Sequence, residues 1–416
     1  MQLPGSDVVS RVRDRLRRNE IIYLIAPSGH PNYGDELIAR AWLRHLARSR
    51  PRALVVLDCH SPGQAALMLR DAHPDVVFVD TLWQLALYAA TERDGDTLSE
   101  GPDPAAPWEW VARAATTFGP APRLSEGIDV FRRASSVHLL GGGYVNKVWP
   151  EHVSLVVAVA ELARTTGVPA YASGQGLIPL VDEPARTALL AAAAEFTVFD
   201  VRDAASAEAL GSLAGRRQTG DDAWLAVPEV LRDLERTETP TPDGVTLCIQ
   251  SDLTDDFAAF GTTGLDALTR FVGATLDAWE IPGSAVTVVE AIPGADLEVP
   301  TRLGDRLDGA TRVPFLDIWR SGLPVGRGST WISTRFHPHL IAGAAGDSGI
   351  GVIGRPDYYA TKHQSLVDAG SRWTVVDDPD AIPARPHAGG FSADDREKAV
   401  AAKKALAQRL YPRRIK

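Results

Sequence analysis

A chain of 416 residues, 45% hydrophobic and 23% charged, exceeds what one core usually holds, so about two ordinary domains are expected. The net charge of −10 excludes a nucleic-acid-binding surface spread over the molecule, which needs a basic excess, and leaves any basic ligand site to be local. No apolar run reaches the ~18 residues that span a bilayer, and charges interrupt the N-terminus where a signal peptide would be apolar, so a cytoplasmic protein is expected.

The first element sets Val9, Val12 and Leu16 against Arg11, Arg13, Arg15, Arg17 and Arg18. This amphipathic pattern reads as a surface helix packing on its own domain, and would also suit peripheral contact with an anionic membrane at its inner face. Short apolar runs follow: "IIYLIAP" (21–27), "ALVVLDC" (53–59), "DVVFVD" (75–80), "SVHLLGG" (136–142), "PAYASGQG" (169–176) and "FTVFDVRD" (196–203). Helical stretches such as "DELIARAWLRHLARS" separate most of them. Continuous rather than alternating apolar character predicts parallel strands buried on both faces, the pattern of a doubly wound α/β sheet. The stretch 94–127 is too long for an ordinary crossover and reads as an insertion, its Trp108 and Trp110 suggesting a folded flap or cap.

"RTETPTPDG" (236–244) has the composition of a linker, and a second series repeats the scheme: "VTLCIQ" (245–250), "AVTVVEAI" (285–292), "VPFLD" (313–317), "TWISTRF" (330–336), "GIGVIG" (349–354) and "RWTVVDD" (372–378). Two Rossmann-like domains are therefore expected, residues 1–238 and 239–416. Ser392, three residues before Asp395, caps a predicted closing helix at 392–411. Cys59 and Cys248 sit far apart in apolar runs and read as reduced core residues rather than a disulfide or a metal site.

In open α/β sheets, ligands bind beyond the carboxyl ends of the strands, so the residues just after each run are the candidates. The first run is followed by "SGHPNYGDE", where Asn32 and Gly34 allow a tight turn. Asp35 and Glu36 open a helix whose N–H groups point at a cleft, although Asp35 also reads as a simple N-cap. After the fourth run, "GGGYVNK" offers Gly142, Gly143 and Asn146, either for close approach of a ligand or for tight packing. The fifth offers Gln175 between glycines, and the sixth ends on Arg202. "STRFHPHLIA" (333–342) places Arg335 and His337 at a strand end, joining a permanent cation that forks onto carboxylate or phosphate to a titratable acid/base. His339, after a proline, reads first as a capping or packing residue and is kept as a contact candidate. "YATK" adds Tyr359 and Lys362.

Taken in order, "NYGDE" (32–36), "GGGYVN" (141–146), "SGQGLIPL" (173–180), "VRDAAS" (201–206), "STRFHPHLIA" and "YATK" resemble the polysaccharide pyruvyl transferase family over roughly residues 21–365. The resemblance implies a GT-B-like fold, two Rossmann-type domains facing across a cleft, and use of phosphoenolpyruvate to place a pyruvate ketal on a sugar of a cell-surface glycan or exopolysaccharide precursor. Two departures stand out. The family's Arg-Leu-His is Arg335-Phe336-His337 here, and its aspartate-proline after the sixth strand is replaced within "GDDAWL" (220–225). On this reading His337 protonates the enol methylene, Asp35 or Glu36 acts as base, and Arg335, Arg202 and Lys362 hold the anionic donor beside Asn32, Gly34, Gly142, Gly143, Asn146, Gln175, Tyr359 and His339. No metal or other cofactor is required. The partners are phosphoenolpyruvate and a sugar or glycan acceptor, with lipid linkage left open, and no nucleic acid. The competing readings are a nucleotide-sugar glycosyltransferase of the same architecture and a non-catalytic glycan-binding homologue.

Overall fold

The computed structural model describes residues 20–91, 101–234, 244–326 and 328–413. The N-terminal amphipathic pattern, the start of the 94–127 stretch and nearly all of the proposed linker lie outside those residues. The chain divides into two compact units. One takes the described chain up to His30, Ile38–Asp222 and the residues from Lys403; the other takes Pro31–Leu37 and Ala223–Ala402. The division thus falls after Asp222 rather than after 238, and the "NYGDE" segment is grouped with the second unit. Specific contacts account for both assignments. The Tyr33 N–H bonds the Ala291 carbonyl at 3.0 Å, whereas the Lys403 ammonium is fully buried on Asp200 at 2.8 Å and Asp222 at 3.0 Å.

The first unit is built on seven strands: β1 (Ile21–Ile25), β2 (Leu54–Asp58), β3 (Val76–Val79), β4 (Ser136–Leu139), β5 (Ala170–Gln175), β6 (Val198–Val201) and β7 (Arg216–Gln218). They run parallel in the order β3-β2-β1-β4-β5-β6-β7. β1, β2 and β4 are buried at every position, which is why these runs show no alternation. β7, reading Arg-Arg-Gln on the sheet edge, carries no apolar signal and escapes a search for apolar runs. The strand order also accounts for the long 94–127 stretch, because the chain must return from edge strand β3 across the sheet to β4. The described part is not a cap. Its helix Pro107–Thr116 buries Trp110, Val111, Ala114 and Ala115 in the main core and packs on the helix Val153–Thr166.

The second unit repeats the arrangement with β8 (Val245–Cys248), the short hairpin β9 (Ala258–Ala259) and β10 (Thr262–Thr263), β11 (Val286–Val289), β12 (Thr311–Val313), β13 (Thr330–Ser333), β14 (Ser348–Val352) and β15 (Thr374–Val376). Apart from the hairpin these form one parallel sheet, β12-β11-β8-β13-β14-β15. "VPFLD" is a correction: β12 ends at Val313, Pro314 takes the N-cap position, and Phe315–Ser321 is helical. Proline can close a strand and open a helix because it needs no N–H at either place. The closing helix runs Ala393–Leu410, with the Ser392 hydroxyl accepting from the Asp395 N–H at 3.1 Å. Both cysteines are buried and unbridged, and among the described residues no helix is long and apolar enough to cross a membrane.

Candidate active site

In a sheet of order 3-2-1-4, the chain leaves the first strand to one side and returns to the other, opening a crevice between the ends of the first and fourth strands. Each unit has such a switch point, between β1 and β4 and between β8 and β13.

At the second switch point the end of β13 is locked to β8. The Thr334 N–H bonds the Cys248 carbonyl at 3.1 Å, and the Thr334 hydroxyl accepts from the Gln250 N–H at 2.8 Å. Ser333 Oγ accepts from the Arg335 N–H at 3.0 Å, fixing the turn from which Arg335 projects. The buried guanidinium donates through Nε to Asp296 Oδ1 at 2.9 Å and through Nη2 to Asp296 Oδ1 at 2.6 Å and Asp252 Oδ1 at 2.8 Å. The two carboxylates differ. Asp296 is fully buried, and its other oxygen accepts from the Ala291 and Ile292 N–H groups at 2.8 and 2.9 Å; Asp252 is 46% exposed. Burial raises the Asp296 pKa above the ordinary carboxylate value, with Arg335 opposing that rise.

Helical geometry separates the two histidines. Residues two apart on the helix Phe336–Ala344 point in nearly opposite directions. His337 is half-buried, while His339 is completely buried and stacks on Trp373 at 4.2 Å between ring centroids. Both His339 nitrogens are engaged, Nδ1 with His363 at 2.9 Å and Nε2 with Ser371 at 2.8 Å. Burial holds the His339 pKa well below its ordinary value and pushes that of His363 down to about 4. His339 is therefore a core residue and presents no nitrogen to a substrate.

The "NYGDE" segment lies against this strand end. Gly34 sits on the His337 ring so closely that an added Cβ would overlap Nδ1, and Asn32 Oδ1 caps the helix start by accepting from the Gly34 N–H at 3.2 Å. The helix begins at Tyr33, so Asp35 lies in its first turn and is not its N-cap. Asp35 is half-buried and Glu36 fully buried. Lys362, also buried, lies on the helix Pro356–Asp368. That helix carries Tyr359 as well, whose side chain lies outside the described part. The second unit therefore holds Asn32, Gly34, Asp35, Glu36, Arg335, His337 and Lys362, and folding lays Gly34 on His337 although the two lie far apart in sequence.

The remaining candidates belong to the first unit, and most are engaged by the protein itself. Gln175 is buried and donates to the Leu139, Leu140 and Ser173 carbonyls. Asn146 braces its own turn, donating to the Gly143 carbonyl at 2.7 Å and accepting from the Val148 N–H at 2.8 Å. The Gly142 backbone pairs with Gly174 and Gly176 through both of its polar groups. Neighbouring Gly141 and Gly174 are glycines because a Cβ on either would crowd Asp222. Asp222 accepts from the Gly141 N–H at 2.9 Å, Trp42 Nε1 at 2.7 Å and Ser173 Oγ at 2.5 Å. Burial works against the charge of Lys403, but Asp200 and Asp222 outweigh it and raise its pKa. Arg202 is buried beside Asp203 at 3.3 Å and Asp221 at 3.8 Å. These four contact candidates, Gln175, Asn146, Gly142 and Arg202, belong to the first unit, whereas the Arg335 group belongs to the second.

The profile of the family described as polysaccharide pyruvyl transferase matches residues 32–272. The chain belongs to that family. The match starts at "NYGDE", spans the glycine-rich strand ends of the first unit and stops before Arg335. No curated protein matches the chain. Among solved structures, it is similar to a UDP-GlcNAc 2-epimerase from Neisseria meningitidis bound to UDP-GlcNAc, at 11% identity over 94% of this chain and 91% of that one, with a TM-score of 0.52. It is also similar to a putative UDP-N-acetylglucosamine 2-epimerase from Listeria monocytogenes, at 11% identity over 95% and 92%, with a TM-score of 0.51. At such identities the likeness shows the fold, a GT-B-like pair of Rossmann-like domains.

Sequence reasoning missed Asp252 and Asp296, the partners of Arg335. The signal was present, since both follow apolar runs, in "IQSD" and "AIPGAD", but acidic residues draw little notice when cations for an anionic donor are sought. The Phe336 departure from the family pattern is accommodated: its ring is buried and meets His337 edge-on at 5.2 Å.

Proposed function

We propose that the protein transfers the enolpyruvyl group of phosphoenolpyruvate to two hydroxyls of a sugar in a cell-surface glycan or its precursor, forming a cyclic pyruvate ketal. The observation that carries this reading is the packing of Gly34 on His337 at the strand end that projects Arg335. It joins an acid/base, a carboxylate-bearing turn and a fixed cation within one unit. The donor's anionic group takes the place of exposed Asp252 on the Arg335 fork, while buried Asp296 keeps the fork oriented. Lys362 supplies a second positive charge.

His337 gives a proton to the methylene carbon, and positive charge develops at C2. The first sugar hydroxyl forms a bond to C2 and loses its proton to Asp35, which is better exposed for this role than Glu36. The bond from C2 to the phosphate oxygen then breaks, the second hydroxyl closes the ring, and its proton leaves with inorganic phosphate. One proton ends on the new methyl group and one on phosphate, and solvent returns the proton held by Asp35 to His337, so the atoms balance and the enzyme is restored.

The test is incubation with phosphoenolpyruvate and a panel of galactosides, mannosides, glucosides and N-acetylhexosaminides. Phosphate release that requires both the donor and one glycoside class, with one deuterium in the ketal methyl when the reaction runs in deuterated water, supports the proposal. Binding of a sugar nucleotide in place of phosphoenolpyruvate would overturn it in favour of a glycosyltransferase.

A further inference from the structure

The end loops of β1, β2 and β4 in the first unit bring together a run of aromatic and imidazole rings. His30, on the loop after β1, stacks on His60, which follows β2, with centroids 4.8 Å apart and planes 7° from parallel. His60 also meets Trp83 at 3.9 Å and His152 at 6.1 Å. His152 and Trp149 end the loop after β4, their planes 15° apart at 6.4 Å. The run His30–His60–His152–Trp149 therefore links the end loops of β1, β2 and β4, where a doubly wound sheet places its ligand.

The run is held in place by backbone and buried groups. Gly29 has φ +89°, and a Cβ there would strike the Ser61 carbonyl, so only glycine lets the two loops approach and lays His30 over His60. His152 donates Nδ1–H to the Tyr144 carbonyl at 2.8 Å. Trp83 donates to the Asp58 carbonyl at 3.1 Å. Exposure is greatest at its ends: His30 is exposed, His60 and Trp149 are half-buried, and Trp83 and His152 are buried. Burial pushes the His60 pKa down to about 4 and lowers that of His152, so the supporting rings are neutral around pH 7. Among the described residues no group of three or more His, Cys, Asp or Glu side chains is arranged to hold a metal, which leaves this histidine cluster as a stacking surface. Glu151, half-buried with Oε1 3.9 Å from His152 Nε2, adds a hydrogen-bond acceptor at its edge.

From this geometry we infer that the His30–His60–Trp149 surface of the first unit is a subsite for a pyranose ring, which lays an apolar C–H face on the exposed rings and turns hydroxyls toward Glu151. A neutral ligand with one apolar face and a polar rim fits stacked rings bordered by a carboxylate, whereas an anionic donor would meet that carboxylate. The inference deepens the proposed transferase reading by assigning the acceptor to these residues.

The test separates the two readings. Saturation-transfer NMR on the full chain, without phosphoenolpyruvate, uses the methyl glycosides of galactose, mannose, glucose and N-acetylglucosamine. His30→Ala, at an exposed position, and Trp149→Ala, at a half-buried one, are compared with wild type, and phosphoenolpyruvate affinity is measured by calorimetry on the same proteins. The expected result is transfer to the C–H protons of one glycoside face, a loss of at least 5-fold in that glycoside's affinity in both variants, and unchanged phosphoenolpyruvate affinity. The subsite is overturned if no glycoside binds wild type, if both variants bind it as wild type does, or if they lose phosphoenolpyruvate affinity instead. Ring-dependent glycoside binding by a protein that does not bind phosphoenolpyruvate would overturn the donor assignment and leave the subsite standing.

Discussion

The two sheets share one strand order over six strands, the first adding β7 at its edge, yet the loops at their switch points differ in chemistry. Between β8 and β13 the chain places a buried guanidinium on two carboxylates beside a half-exposed imidazole. Between β1 and β4 it places stacked rings over a backbone pinned by Gly29. A fold that repeats itself can thus divide its labour, because strand order decides where a ligand goes and the loop residues decide what it is. Charge needs neighbouring carboxylates to be held in a buried turn, which Asp296 and Asp252 supply; rings need only close loop packing.

The comparison can be broken most severely at His337. His337→Gln should keep the fold and most donor affinity while turnover falls roughly 10²–10⁴-fold, the usual scale for a general acid. Stopped reactions followed by phosphate assay measure it, and normal turnover would remove the proton donor from the charged site. His339→Gln should lose far less turnover per folded molecule, with its cost appearing in thermal stability instead.

Arg335→Ala comes next. Loss of a charge-assisted hydrogen bond inside the site should cost donor binding on the order of 2–3 kcal/mol, read by calorimetry at fixed salt. Arg335→Lys should recover little, since an ammonium cannot fork. Equal affinity in wild type and Arg335→Ala would show that the anion binds elsewhere.

The first unit also buries a carboxyl, Asp58, at the end of β2. Oδ2 accepts from the Tyr23 hydroxyl at 2.5 Å and the Leu82 N–H at 2.8 Å, and burial pushes the pKa up from 3.8 to about 7. Between these values the folded state keeps a proton that the unfolded chain gives up. Asp58 therefore lowers stability as pH rises from about 4 to about 7, by about 1.4 kcal/mol per pH unit, with no further loss above. Urea unfolding at pH 5 and pH 8 should show Asp58→Asn gaining on wild type at the higher pH. An unchanged difference between the two proteins would mean that Asp58 is ionised throughout.

The smallest effect is expected at Asp252. Its contact with Arg335 is half-exposed and worth under about 1 kcal/mol, so Asp252→Asn should tighten donor binding by only a few-fold. Weaker binding in that variant would make Asp252 a donor ligand rather than a group the donor displaces.

Much of the architecture was legible along the chain. Continuous apolar runs such as 21–27 and 330–336 marked buried parallel strands because a strand covered on both faces has no polar side to alternate with, and the polar residues following them marked the loops where a site could form. Edge strand β7 left no such trace, and Pro314 hid a change from strand to helix inside one apolar run. What only the tertiary structure decided was which strand-end residues belong together. Gly34 meets His337 through the packing of Pro31–Leu37 within the second unit, Asn146 braces its own turn, Gln175 donates to the carbonyls of Leu139, Leu140 and Ser173, and His339 turns inward while His337 does not. Periodicity records which side of a segment is buried; it carries no record of the distant group that each buried or half-buried side chain will meet, because that partner is chosen by the packing of the whole chain.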